Sequence, residues 1–288
     1  MTTKTDSRRT RLSSLALPTL AVTGGVSALG YLRNRWQRSR VFLPDRYPDG
    51  VWEPQSFGLA AEDVWFESTD GVKLHGWWIP HPSARGTILY CHGNTGSIAH
   101  RIGVFRHLGR MRVNVLAFDY RGYGRSTGSP SEAGLFRDVR AAFDYLVGSL
   151  DRRPGEIILF GHSLGGAVAV DCALDRPVAG LVVQSSFTHI RDAAKAMFPT
   201  LPLHLAATRE FRSIDKVGLI EVPKLFIHGD CDDTVPVELG EKLFAAACDP
   251  KELFIVRRAG HNDVHRHGGW RYLHRLSRFR TRCLKQSD

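Results

Sequence analysis

Six short runs of Val, Ile, Leu and Phe punctuate the chain from residue 86 onward: "GTILYC" (86–91), "VNVLAF" (113–118), "EIILF" (156–160), "GLVVQS" (180–185), "KLFIHG" (224–229) and "ELFIVR" (252–257). Runs this short, with no polar alternation, suit strands covered on both faces, as in a parallel sheet between two layers of helix. Stretches with helical periodicity lie between them. In "EAGLFRDVRAAFDYLVGSL" (132–150), Leu135, Val139, Ala142, Phe143 and Leu146 fall on one side of a helix. Two earlier runs, 63–68 and 72–79, alternate more and are joined by "TDG", a hairpin signal. The pattern predicts one α/β domain: a mostly parallel eight-stranded sheet with an antiparallel start and helices on both faces. With 43% hydrophobic residues the chain has material for a large core.

The net charge of +10 would suggest a nucleic-acid or anionic-membrane partner if it covered the fold. Instead it is concentrated at the two ends. Residues 1–40 carry eight Lys/Arg against one Asp, and residues 257–288 carry nine against two, so each end is +7 and the body between them is −4. An acidic body argues against a nucleic-acid-binding domain. Five cysteines (91, 172, 231, 248, 283), odd in number and without a C-x-x-C pair, fit reduced structural thiols rather than a disulfide framework or a zinc site.

From Leu12 to Leu32 there are 21 residues without a charge, enough for a helix to cross a hydrocarbon core. Four basic residues flank the run on each side, so the charge rule assigns no orientation. A single-pass anchor is the expectation, with a cleaved signal peptide and a soluble or interfacial tail as alternatives. The expected organisation is a basic N-terminal segment over 1–40, with the anchor at about 12–32, and a globular domain over 41–288.

In open α/β sheets, ligands gather at the carboxyl ends of the strands. Four of the apolar runs are followed there by residues that carry chemistry: "HGNTG" (92–96), "GHSLGG" (161–166), "DCDDTVP" (230–236) and "RAGHNDV" (258–264). A serine hydroxyl is a poor nucleophile unless a base takes its proton, which His261 can do for Ser163. An aspartate behind the imidazole selects its tautomer and stabilises the imidazolium. Gly161 and Gly165 permit a tight strand-to-helix turn. The oxyanion of an acyl-transfer intermediate needs two N–H donors, expected from the backbones of Asn94 and Leu164.

At these residues the chain resembles the α/β-hydrolase superfamily. Within it the likeness is greatest to small serine hydrolases with an N-terminal membrane anchor, which include protein depalmitoylases and related bacterial and fungal hydrolases. The matching stretches are "HGNTG", "DYRGYGRSTGSPSEAGLFRD", "GHSLGG", "SSFTHIRDAA", "HGDCDDTVP" and "AGHNDV", spread over residues 64–272. The resemblance implies an α/β-hydrolase fold and a Ser163, Asp232, His261 triad that cleaves acyl esters or thioesters through an acyl-enzyme, with no cofactor or metal. Its pattern H-G-x-x-D-x-x-V-P, started at His228, falls on Asp232 rather than Asp230 or Asp233. Asp119 then reads as a loop organiser and His92 as a brace for the oxyanion loop.

Residues 186–221 leave room for only a small lid. Phe187, Met197, Phe198, Leu201 and Leu203 there read equally as the lining of an acyl trough or as the core of the connection. In "GGWRYLHRLSRFRTRCL", Trp270, Leu273, Leu276, Phe279 and Cys283 recur at helical steps, which predicts a C-terminal helix packed on the sheet. Its arginine-rich face is solvated or meets anionic lipid. Two other functions stay open: a membrane-tethered interaction protein on the same fold, and a serine peptidase.

Overall fold

The computed structural model describes residues 42–197, with only the backbone of Met197, and residues 211–285. The candidate anchor at 12–32 and the residues Phe198, Leu201 and Leu203 lie outside these. The eight runs form eight strands: β1 (Glu62–Glu67), β2 (Lys73–Ile79), β3 (Thr87–Cys91), β4 (Asn114–Phe118), β5 (Ile157–His162), β6 (Gly180–Gln184), β7 (Lys224–Gly229) and β8 (Lys251–Val256). They make one sheet in the order 1-2-4-3-5-6-7-8, in which β2 alone runs opposite to the other seven strands. The β1–β2 hairpin closes where expected. Gly71, at φ 76°, takes the left-handed turn position, and the Ser68 amide donates to Val72 O at 2.9 Å.

Alternation along the strands divides the core in two. Leu89, Leu116, Leu159 and Leu181 face one side, against helices α2 (Glu132–Gly148), α3 (Leu164–Cys172) and α5 (Val237–Ala246). Ile88, Val115, Ile158 and Val182 face the other, against α1 (Ile102–Gly109) and α6 (Val264–Lys285). The Leu135, Val139, Ala142, Phe143 and Leu146 stripe of α2 is wholly buried, and Ser131 caps that helix by accepting from the Gly134 amide at 3.2 Å. Every residue of α3 is buried, which explains why its sequence is apolar all round except at Asp171, whose carboxylate is paired with Arg140 and Lys216.

Three details depart from the expectation. Strand β5 runs on to His162, with Gly161 and His162 in register with Val183 and Gln184 of β6. A two-residue parallel pair, Leu43–Pro44 with Thr95–Gly96, clips the start of the described chain to the loop after β3. In α6 the backbone breaks at Gly269 (φ 48°, ψ −129°), and Trp270 just beyond the break is 71% exposed rather than in the core. Tyr272 takes the inward position instead, with Leu276, Phe279 and Cys283 following it at helical steps.

The "DYRGYG" loop after β4 is tied down by Arg121. Its guanidinium meets Asp138 of α2 at 2.7 Å and Asp70 of the hairpin turn at 2.8 Å. Between β6 and β7, a short helix α4 (Ile190–Met197) begins the connection expected to be a small lid. Among the described residues no helix is long and apolar enough to cross a membrane.

Candidate active site

At the carboxyl edge of the sheet, the turn from β5 into α3 holds Ser163 at φ 56°, ψ −120°, a conformation that L-residues seldom adopt. Its surroundings leave no alternative to glycine on either side. A Cβ on Gly161 would lie 2.2 Å from Gly165 O, and one on Gly165 would lie 2.0 Å from Cys91 O. The turn therefore holds the serine just above the end of β5, at the amino terminus of α3.

The structure brings Ser163, His261 and Asp232 together from the ends of three strands. His261 Nε2 is 3.0 Å from Ser163 Oγ, and His261 Nδ1 is 2.8 Å from Asp232 Oδ2. A carboxylate can only accept, so Nδ1 carries the proton and Nε2 presents its lone pair to the hydroxyl. Asp232 Oδ1 accepts from the backbone amides of Thr234 at 3.0 Å and Val235 at 2.7 Å. Burial works to raise this carboxyl, but hydrogen bonds from His228 and His261, together with the Val235 amide, hold it well below the usual carboxylate range. The two neighbouring acids are engaged elsewhere. Asp230 accepts from the Arg258 amide, and Asp233 accepts from the Thr234 hydroxyl.

The loop after β3 brings Asn94 to the same edge. His92 Nδ1 donates to Gly93 O at 2.7 Å. Because the C=O and N–H of a trans peptide point in opposite directions, this bond fixes the plane of the Gly93–Asn94 peptide and hence the direction of the Asn94 N–H. Burial pushes the His92 imidazole down to about 4, so it is neutral. Asp119 organises the same loop, accepting from the Ile98 amide at 2.8 Å. Tyr120 and Tyr123 hydroxyls donate to His92 O and Asn94 O at 3.0 and 2.9 Å. Leu164 is the first residue of α3, where backbone N–H groups have no intrahelical acceptor.

Two supports escaped the sequence reading. His228 Nε2 donates to Val235 O at 2.8 Å and lies 3.3 Å from Asp232 Oδ2, so it holds the acid loop. His162 Nε2 donates to His261 O at 3.0 Å and fixes the loop that carries the base. Burial, and after it the neighbouring His261, push His162 well below the ordinary imidazole range. A histidine directly before the serine, in "GHSLGG", and another before the acid loop, in "HGDCDD", were the available signals.

Phe187 is 2% exposed and belongs to the core cluster, so its side chain packs into the connection rather than on an open trough. Of the other two candidate lining residues, only the backbone of Met197 is described, and Phe198 lies outside the described residues. All five cysteines are free thiols. Among the described residues no three His, Cys, Asp or Glu side chains gather as a metal-binding group.

The family described as serine aminopeptidase, S33, matches residues 82–213. An uncharacterized protein of Mycobacterium tuberculosis is 39% identical over 92% of this chain and 95% of its own length. The α/β-hydrolase domain-containing protein WAV2 of Arabidopsis thaliana is 36% identical over 85% of this chain and 88% of its own. Among solved structures, the Pyrococcus furiosus esterase Pf2001 superposes with a TM-score of 0.70 at 25% identity, covering 84% of this chain and 98% of that one.

Proposed function

The chain belongs to the α/β-hydrolase superfamily, and we propose that within it this protein is a serine hydrolase that cleaves acyl ester or thioester bonds through Ser163, His261 and Asp232. The observation that carries this reading is the continuous hydrogen-bonded line from Ser163 Oγ through the His261 ring to Asp232. In the proposed cycle, Ser163 Oγ bonds to the substrate carbonyl carbon while its proton passes to His261 Nε2. The carbonyl oxygen becomes an oxyanion, met by the amides of Leu164 and Asn94. Asp232, ionised at neutral pH, stabilises the imidazolium. Collapse of the intermediate breaks the bond to the alcohol or thiol, which leaves with the proton from Nε2. Water then repeats the sequence on the acyl-enzyme, restoring the Ser163 hydroxyl and releasing the acid. No residue role in this cycle requires a metal or cofactor. The name of the Pyrococcus furiosus neighbour, an esterase, supports the ester reading.

A second reading, amide cleavage by the same residues, is favoured by the peptidase description of the matched family. One panel separates the two: p-nitrophenyl esters of increasing acyl length, acyl thioesters and aminoacyl p-nitroanilides, with Ser163→Ala as control. The proposal expects a fluorophosphonate probe to label the protein at Ser163, ester or thioester turnover to exceed anilide turnover, and Ser163→Ala to abolish both labelling and turnover. A folded protein that takes no label overturns the serine mechanism, whereas labelling with preferential anilide turnover selects the peptidase.

A further inference from the structure

Opposite the Ser163 edge, at the feet of β3, β4 and β5, the surface holds an open pocket of about 390 Å³ lined by Arg85, Thr87, Asn114, Arg152, Arg153 and Glu156, among others. Glu156 is its one lining carboxylate and is taken by Arg153. Leu284 of α6 also lines it, and one turn earlier on that helix is Arg280, half-buried beside Arg85 and Arg112. Arg280 Nη1 donates to Met111 O, while its Nε is buried without a hydrogen-bond partner. Burial lowers the Arg280 guanidinium below its ordinary range, and the charges of Arg85 and Arg112 lower it further. Among the described residues, Arg85, Arg112, Arg152 and Arg280 have no carboxylate within ion-pair distance, unlike Arg275 and Arg282 of the same helix, which share Glu252. At the floor, Thr87 and Asn114 are buried polar residues, and the Asn114 amide donates to the Thr87 hydroxyl at 3.4 Å.

Uncompensated guanidinium groups packed together repel one another, and a partly buried one loses hydration as well. An anion with several oxygens removes both penalties, and the planar fork of arginine matches phosphoryl oxygens in pairs. We propose that this pocket binds a phosphoryl group, held by Arg85 and Arg152 over the Thr87 and Asn114 floor, with Arg280 of α6 adding its charge from behind Arg85. The pocket and Ser163 lie at opposite ends of β5, which at 3.3 Å per residue puts them about 20 Å apart. The phosphoryl group is therefore a second ligand rather than part of the bond attacked at Ser163. Free phosphate or pyrophosphate and the phosphate headgroup of a lipid offer the same chemistry, and the test has an arm for each.

The full chain and the Arg85→Gln, Arg152→Gln double variant are titrated with inorganic phosphate and pyrophosphate at ionic strength held constant with sodium chloride, following the melting temperature and the heat of binding. Both proteins are also floated with phosphatidylcholine vesicles, with and without phosphatidic acid. Arg85 is exposed and Arg152 spends one N–H on Leu150 O, so the ligand-free melting temperature of the double variant is expected to stay at the parent value, which shows that it folds. Saturable binding of phosphate or pyrophosphate, weakened about tenfold or more in the variant, supports the site with a soluble ligand. Flotation that needs phosphatidic acid and is lost in the variant supports it with a lipid headgroup. The proposal is overturned if neither ligand form binds above the chloride control, or if the double variant binds as well as the parent.

Discussion

Ser163, His261 and Asp232 are close together because each stands just beyond the end of a different strand, and at this scale the three adjacent acids are the sharpest test. Only Asp232 faces the imidazole, at 2.8 Å, while Asp230 and Asp233 spend their oxygens on the Arg258 amide and the Thr234 hydroxyl. Asp232→Asn places an amide where the ring needs an acceptor and favours the wrong tautomer. Its kcat on a p-nitrophenyl ester is expected to fall by roughly 10⁴-fold. Asp230→Asn and Asp233→Asn are expected to stay near the parent value, and an equal loss in either would reassign the acid. The spacing from His228 to Val235 and Pro236 made Asp232 legible in the sequence. The roles of His162 and His228 were not legible, because each acts through a carbonyl brought to it by the fold.

Among the elements, α6 shows most clearly where periodicity stops being informative. Trp270 fits a helical stripe with Leu273, Leu276 and Phe279, yet the break at Gly269 leaves it at the surface and gives the inward place to Tyr272, whose hydroxyl donates to Gln184 at 2.7 Å. A glycine inside an apolar pattern can signal a break, but it does not set the phase of the helix beyond it. Phe279, 2% exposed, packs under the sheet beside Gly180, where a Cβ would come within 3.1 Å of its ring. Phe279→Ala is expected to lower unfolding free energy by about 3–5 kcal/mol in urea titrations. Trp270→Ala, at a position 71% exposed, is expected to shift it by no more than about 0.5 kcal/mol. The strands were easier to read than the helix: a parallel strand buried on both faces writes an unbroken apolar run. The two-residue Leu43–Pro44 pair, by contrast, is too short to have a period.

For the whole molecule, the buried histidines set the acid limit. Burial lowers His92 and His265 to about 4 and takes His162 well below the ordinary imidazole range of 6.5, so all three fold as neutral rings. The unfolded chain binds their protons from about pH 6.5 downward, and the folded protein does not until about pH 4. Stability is therefore expected to be full above about pH 6.5 and to fall as pH drops toward 4. The depressed Asp232 works in a lower window, since its contribution is lost only below the ordinary carboxylate value of 3.8. Urea midpoints measured from pH 8 to 4 check this, and a midpoint unchanged between pH 6.5 and 4 contradicts it. From the sequence by itself came the eight strands, the α/β class, the chemistry at four strand ends and the choice of Asp232, because strand burial and turn chemistry are written in neighbouring residues. Only the tertiary structure decided the sheet order, the 3.0 and 2.8 Å contacts at His261 and the histidines that hold the loops. It also decided that Arg85 and Arg152 line one pocket at the far edge of the sheet, with Arg280 feeling the charges of Arg85 and Arg112 nearby. Those depend on which distant segments become neighbours, and local patterns of hydrophobicity carry no record of that.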